Sequence, residues 1–101
     1  MFYAVRISTH AKADREGIAI HLSQYSVIAP RRFKQELRKY IDIISKTPLI
    51  FSRYESNPAY RHVVVYGSYV LFYTVSEADR VVSIYRILHG AQDIDGILLQ
   101  S

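Results

Sequence analysis

From residue 2 to residue 8 the chain alternates, with Tyr3, Val5 and Ile7 on one side and Ala4, Arg6 and Ser8 on the other. That two-residue period predicts a half-buried strand. Thr9 follows as an N-cap, and Ala11 and Ala13 open a helix whose inner face holds Ala11, Ile18, Leu22 and Tyr25. Gly17 costs this helix about 1 kcal/mol relative to alanine, so packing must hold it, and its end is expected near Tyr25. Pro30 suits the first turn of a second helix, where its missing N–H is no loss. Phe33, Leu37, Tyr40, Ile41 and Ile44 then form a helical stripe, with Arg32, Lys39 and Lys46 opposite. Thr47-Pro48 ends it, because a residue before proline disfavours helical geometry. The short connection between the helices predicts an antiparallel αα-hairpin.

Residues 48–58 lose the pattern and read as a loop, with Asn57-Pro58 as a turn signal. The period then returns to two. Residues 60–66 and 69–75 are predicted strands around a tight Gly67-Ser68 turn, residues 76–79 a second turn, and residues 81–88 a last strand stopped by Gly90. The segment 93–99 is left without an assigned shape. The order is β-α-α-β-β-β, an α+β domain of two layers. Its αα-hairpin packs on one face of a mainly antiparallel sheet, which the N-terminal strand joins at a position the pattern leaves open. The helices cover one face, leaving the other for solvent or a partner.

Composition narrows this further. The 101 residues suffice for one domain, expected to span 1–101. Half of them are hydrophobic and 22% charged, which excludes a disordered chain. The absence of cysteine excludes disulfides and thiolate metal sites, and points to a reducing cytoplasm. Met1 to Arg6 lacks the basic and apolar regions of a signal peptide, and no apolar run is long enough to cross a bilayer, so no membrane partner is expected. The net charge of +4 favours acidic partners, and Arg31, Arg32, Lys34, Arg38 and Lys39 lie close together. This basic run reads first as a solvated helix face; its alternative is docking on nucleic acid or an acidic protein.

The segment Tyr85-Arg86-Ile87-Leu88-His89-Gly90-Ala91-Gln92-Asp93-Ile94 resembles the closing signature of ParE toxins. In that family a strand ends in Arg-aliphatic-Leu-His, followed by Gly-Ala, a polar residue and Asp. Ser68-Tyr69-Val70-Leu71-Phe72-Tyr73 resembles the family's aromatic middle strand. Thr9, Ala11 and Asp14 sit where its first helix opens, and Lys46-Thr47-Pro48 where its second ends. The resemblance covers essentially the whole chain and implies the RelE/ParE-like fold. It also implies the toxin half of a type II toxin–antitoxin pair, held inactive by a cognate antitoxin that folds as it binds. ParE-like members act on DNA gyrase and block replication; RelE-like members are ribosome-dependent ribonucleases that cut messenger RNA. Fold alone does not choose between them.

The ribonuclease branch needs a group to take the 2′-OH proton, a donor for the leaving oxygen and cations over the phosphate. Arg61, Arg86 and His89 are the residues available for that work, but Gly90-Ala91-Gln92-Asp93 stands where the RelE-like pattern is basic. That favours a gyrase inhibitor without catalytic residues. Arg61, Tyr73, Arg86, His89 and Asp93 are then candidates for partner binding. By strand parity Arg86 shares a face with Val82, Ile84 and Leu88. It reads either as a cation aimed into a groove or as a structural partner of Asp93. His89 reads as a proton carrier or as a turn ligand. Arg61 flanks a groove or is an edge charge, and Tyr73 belongs to a tyrosine-rich platform for an antitoxin helix or to the core. No cofactor is expected. No metal is expected either, since His10, His21, His62 and His89 lack ligand spacing. Sequence-specific DNA binding by the toxin alone is likewise not expected.

Overall fold

Helical and strand periods alternate along the chain as expected in a computed structural model that describes residues 2–100; Met1 and Ser101 of the expected 1–101 domain lie outside the described residues. The elements are β1 (Ala4–Ile7), α1 (Thr9–Ser23), α2 (Ala29–Lys46), β2 (Arg61–Val65), β3 (Tyr69–Ser76), β4 (Val81–His89) and α3 (Ile94–Leu99). The sheet order is β1-β4-β3-β2, so the first strand lies at one edge, parallel to the last, while the other pairs are antiparallel.

Local chemistry sets each boundary. The helix cap is Ser8 rather than Thr9: the Ser8 hydroxyl accepts from the Ala11 N–H at 3.0 Å. Its extended backbone leads directly out of β1. The helix stops at Ser23, and Tyr25 leaves the expected stripe to lie 76% exposed, edge-on to His21. Pro30 occupies the first turn of α2 as expected. Beyond Lys46, the Thr47 N–H closes the helix on Ile43 O at 2.8 Å. The β2–β3 turn is one residue longer than the expected pair. Val65 faces Tyr69, and both Tyr66 and Gly67 take positive φ, 54° and 75°. Gly67 adopts that region freely, whereas Tyr66 is fixed there because its N–H donates to the Glu36 carboxylate of α2.

Two apolar layers result. On the helix side, Phe33, Leu37 and Ile44 of α2 meet Val65, Leu71, Tyr73, Val82, Ile84 and Ile87. The opposite face is not left open: Phe72 and Leu88 pack under Leu98 of α3, flanked by Tyr54, Tyr60 and Tyr85. The loop between α2 and β2 helps cover that side. Its Tyr54 hydroxyl donates to Asp95 at 2.7 Å, and its backbone runs beside β2 through His62 N–Ser52 O and Tyr54 N–Tyr60 O.

Candidate functional site

The closing segment of β4 contains a bulge. Phe72 pairs with Arg86 and Tyr73 with Ile84, leaving Tyr85 as an extra residue. The bulge resets strand parity, so Val82, Ile84 and Ile87 face the helices while Leu88 faces the other way. The expected grouping of Arg86 with Val82, Ile84 and Leu88 on one face is therefore wrong, because the alternation does not survive an inserted residue.

β1 ends opposite Ile84, so β4 continues beyond it as a bare edge. The start of α1 supplies the missing partners. The Ser8 N–H donates to Ile84 O at 3.0 Å, and its hydroxyl donates to Tyr85 O at 2.6 Å. One turn further, Asp14 accepts from the Ile87 N–H at 3.0 Å and takes both Nε and Nη2 of Arg86, at 2.8 and 3.0 Å. The hydrogen bonds to Asp14 hold the Arg86 pKa above its ordinary value, against the opposing effect of burial. Arg86 is thus a structural cation, paired with Asp14 and not with Asp93. Asp93 instead caps α3, accepting from the Gly96 N–H at 3.3 Å, and its carboxylate lies so close to Gly96 that a side chain there would collide with it.

His89 is exposed at the end of β4. Its Nδ1 accepts from the Ala91 N–H at 3.0 Å, and its ring lies edge-on to Tyr69. In the neutral ring this leaves Nε2 as the N–H donor. The imidazole borders an open groove of about 450 Å³ with Gly17, Ile18 and His21 of α1 and Gln92.

The remaining candidates sit elsewhere. Arg61 donates to Phe51 O at 2.8 Å and to Leu49 O at 3.4 Å, pinning the loop after α2. Tyr73, opposite Arg61, is fully buried, and its hydroxyl donates to Pro48 O at 2.7 Å. It is a core residue rather than a platform for a partner, because the loop closes over it. Arg61 and His89 are two strands apart and stand opposite Tyr73 and Tyr69, so about 13 Å along the sheet and about 10 Å across it separate them. Arg61, Arg86 and His89 are not brought together.

Burial pushes the Tyr73 phenol up to about 12 from its ordinary 10.0, with the Arg61 charge opposing. The folded state then keeps a proton that the unfolded chain loses, so stability falls as pH rises through that window, by about 2–3 kcal/mol from this group. Tyr73→Phe is expected to cost about 1 kcal/mol at pH 7 and to flatten the alkaline decline. Urea midpoints at neutral pH and across the alkaline window check this; parallel declines in the two proteins would assign the effect to other groups.

Asp14 is the partner of Arg86, a role missed in the sequence. It stands three positions after Ala11 and four before Ile18, on the inner face of α1. A carboxylate on an apolar helix face calls for a buried partner.

The family model for the ParE toxin of type II toxin–antitoxin system, parDE, matches residues 5–94. Among solved structures, the chromosomal ParDE system of P. aeruginosa is similar at 17% identity and a TM-score of 0.68, over 86% of this chain and 95% of that one. The intact E. coli RelBE complex gives 15% and 0.65, over 89% and 99%. The RelBE2 complex of Mycobacterium tuberculosis gives 23% and 0.62, over 88% and 99%. At these identities the likeness is one of fold. No curated protein matches in sequence. With a family match that spans β1 through the start of α3, this chain belongs to the ParE toxin family of type II toxin–antitoxin systems.

Proposed function

We propose that the chain inhibits DNA gyrase and so blocks replication, and that a cognate antitoxin neutralises it. The observation that carries this reading is the Arg86–Asp14 pair. The guanidinium that a ribonuclease would aim at phosphate is held by two hydrogen bonds within the fold, and Arg61 is likewise tied to backbone carbonyls away from His89. Gyrase inhibition asks only for a binding surface.

An antitoxin partner is supported by the ParDE and RelBE structures, which are toxin–antitoxin systems and complexes by description. A groove of about 550 Å³ between β1 and the helices offers a place for it. Its apolar floor is Val5, Ile7, Leu37 and Ile41, and charges of both signs rim it: Arg15, Lys34 and Arg38 with Glu16 and Asp42, Glu16 pairing with Arg15 and Lys34. That combination suits an amphipathic segment whose apolar face meets the floor and whose flanks carry charges of both signs.

Purified toxin is expected to abolish supercoiling by gyrase and to leave cleaved DNA, both reversed by antitoxin. Full supercoiling at a large molar excess of toxin would reject the gyrase reading. The second reading, a ribosome-dependent messenger endoribonuclease, draws on the exposed His89 beside its groove. It requires messenger cleavage on translating ribosomes that Arg61→Ala, Arg86→Ala or His89→Ala abolishes in folded protein.

A further inference from the structure

The outer face of α2 carries charge that the fold does not use. Among the described residues, Arg31, Arg32, Arg38 and Lys39 make no ion pair, while Lys34 reaches Glu16 at 3.7 Å. The carboxylate within the run, Glu36, is turned to the Tyr66 N–H. Helical geometry sorts these cations into two rows. Arg31, Lys34 and Arg38 form one, and Arg32 and Lys39 the other, roughly 100° around the helix, with about 10 Å between the ends of each row. The first row lines a shallow trough of about 500 Å³ together with Pro30, Gln35 and the exposed Val27.

We propose that this strip binds the phosphate backbone of duplex DNA, without reading its sequence. The charge calls for an anionic partner, and the surface between the charges favours nucleic acid over protein. A protein interface needs desolvated apolar anchors at its centre. The large hydrophobic side chains of α2 (Phe33, Leu37, Tyr40, Ile41, Ile43, Ile44) are buried or half-buried, Leu37 and Ile41 toward the groove beside β1. Val27, just before the helix, is the one large apolar side chain in the trough itself. Phosphate contact needs only cations, and arginine, three of the five here, offers paired donors to phosphate oxygens. The shape favours B-form DNA. Its major groove is about 12 Å wide and admits a helix, so the two rows meet opposite phosphate ridges. The major groove of A-form RNA is too narrow for this. The inference rests on neither the gyrase nor the ribonuclease reading, since it concerns toxin and DNA alone.

The test is fluorescence anisotropy of labelled 20-bp duplexes of two unrelated sequences with the purified full chain, titrated with NaCl. Four phosphate contacts give a slope of log K on log[salt] near −3.6, so affinity is expected to fall about 100-fold between 50 and 200 mM salt. Both duplexes are expected to bind alike. The exposed-site variant R31A/R38A is expected to bring the slope about 2 closer to zero, whereas the charge-matched R6A/K12A leaves it unchanged. Both pairs replace exposed side chains, and circular dichroism confirms that the variants are folded. The proposal is overturned by no DNA binding at 50 mM salt, or by equal effects of the two double variants. Binding of polyglutamate in place of DNA overturns it too, as does binding of duplex RNA with the same affinity and slope.

Discussion

Phe72→Ala is expected to lower stability by about 3–5 kcal/mol, a third or more of what a domain of this size holds in reserve. Phe72 has no exposed surface. It lies under Leu98, beside Leu88, with the Tyr54 ring edge-on at 5.1 Å and the His62 ring stacked at 6.3 Å. Neither side can collapse into the vacated space: one is the sheet itself, and on the other Tyr54 is tied to Asp95. The loss therefore includes the cavity as well as the transfer of the ring. It also weakens the seat of α3, whose buried contact is Leu98. Urea denaturation measures the first effect and limited proteolysis near residue 94 the second. Phe72→Leu is expected to recover more than half of the loss. A Phe72→Ala protein within 1 kcal/mol of the parent would show that the second apolar layer is dispensable.

Asp14→Ala is expected to lower stability by about 2–4 kcal/mol, because it leaves a guanidinium and the Ile87 N–H without partners. The two side chains are only 14% and 18% exposed, so water replaces the lost carboxylate poorly. Arg86→Leu removes the charge along with its need for a partner and is expected to cost less. The double change is expected to fall well short of the sum of the singles, a coupling of roughly 1–3 kcal/mol. Additive losses would mean that the ion pair contributes nothing specific and that Asp14 acts through the Ile87 N–H alone.

Hydrophobic periodicity revealed both helices, the three-stranded meander and the layer they share, because the helices turn one face to the sheet and the strands alternate between its two sides. What it did not reveal has physical causes. The place of β1 beside β4 depends on a pairing between distant segments, and a four-residue strand carries no signal of its neighbour. The bulge at Tyr85 is silent in composition, yet it moved Leu88 to the opposite layer and undid the parity argument for Arg86. The partner of Arg86 was sought nearby at Asp93 when the fold supplies Asp14 from the opposite end of the chain. Tyr73 was left between a platform and the core because its ring fits a surface as well as a core. The loop that encloses it has no pattern to read.

The pairing of the first strand with the last also governs when the toxin can exist during its synthesis. Ser8 and Tyr85 are bonded across 77 positions, and β1 has no strand partner until residues 81–84 are available. At about 5–20 residues per second, a ribosome takes roughly 4–15 s to add the residues between them. The αα-hairpin forms early from local contacts, but the sheet closes only after a long loop is ordered, a step that slows folding. Each nascent chain thus spends seconds as an incomplete sheet before it can poison anything.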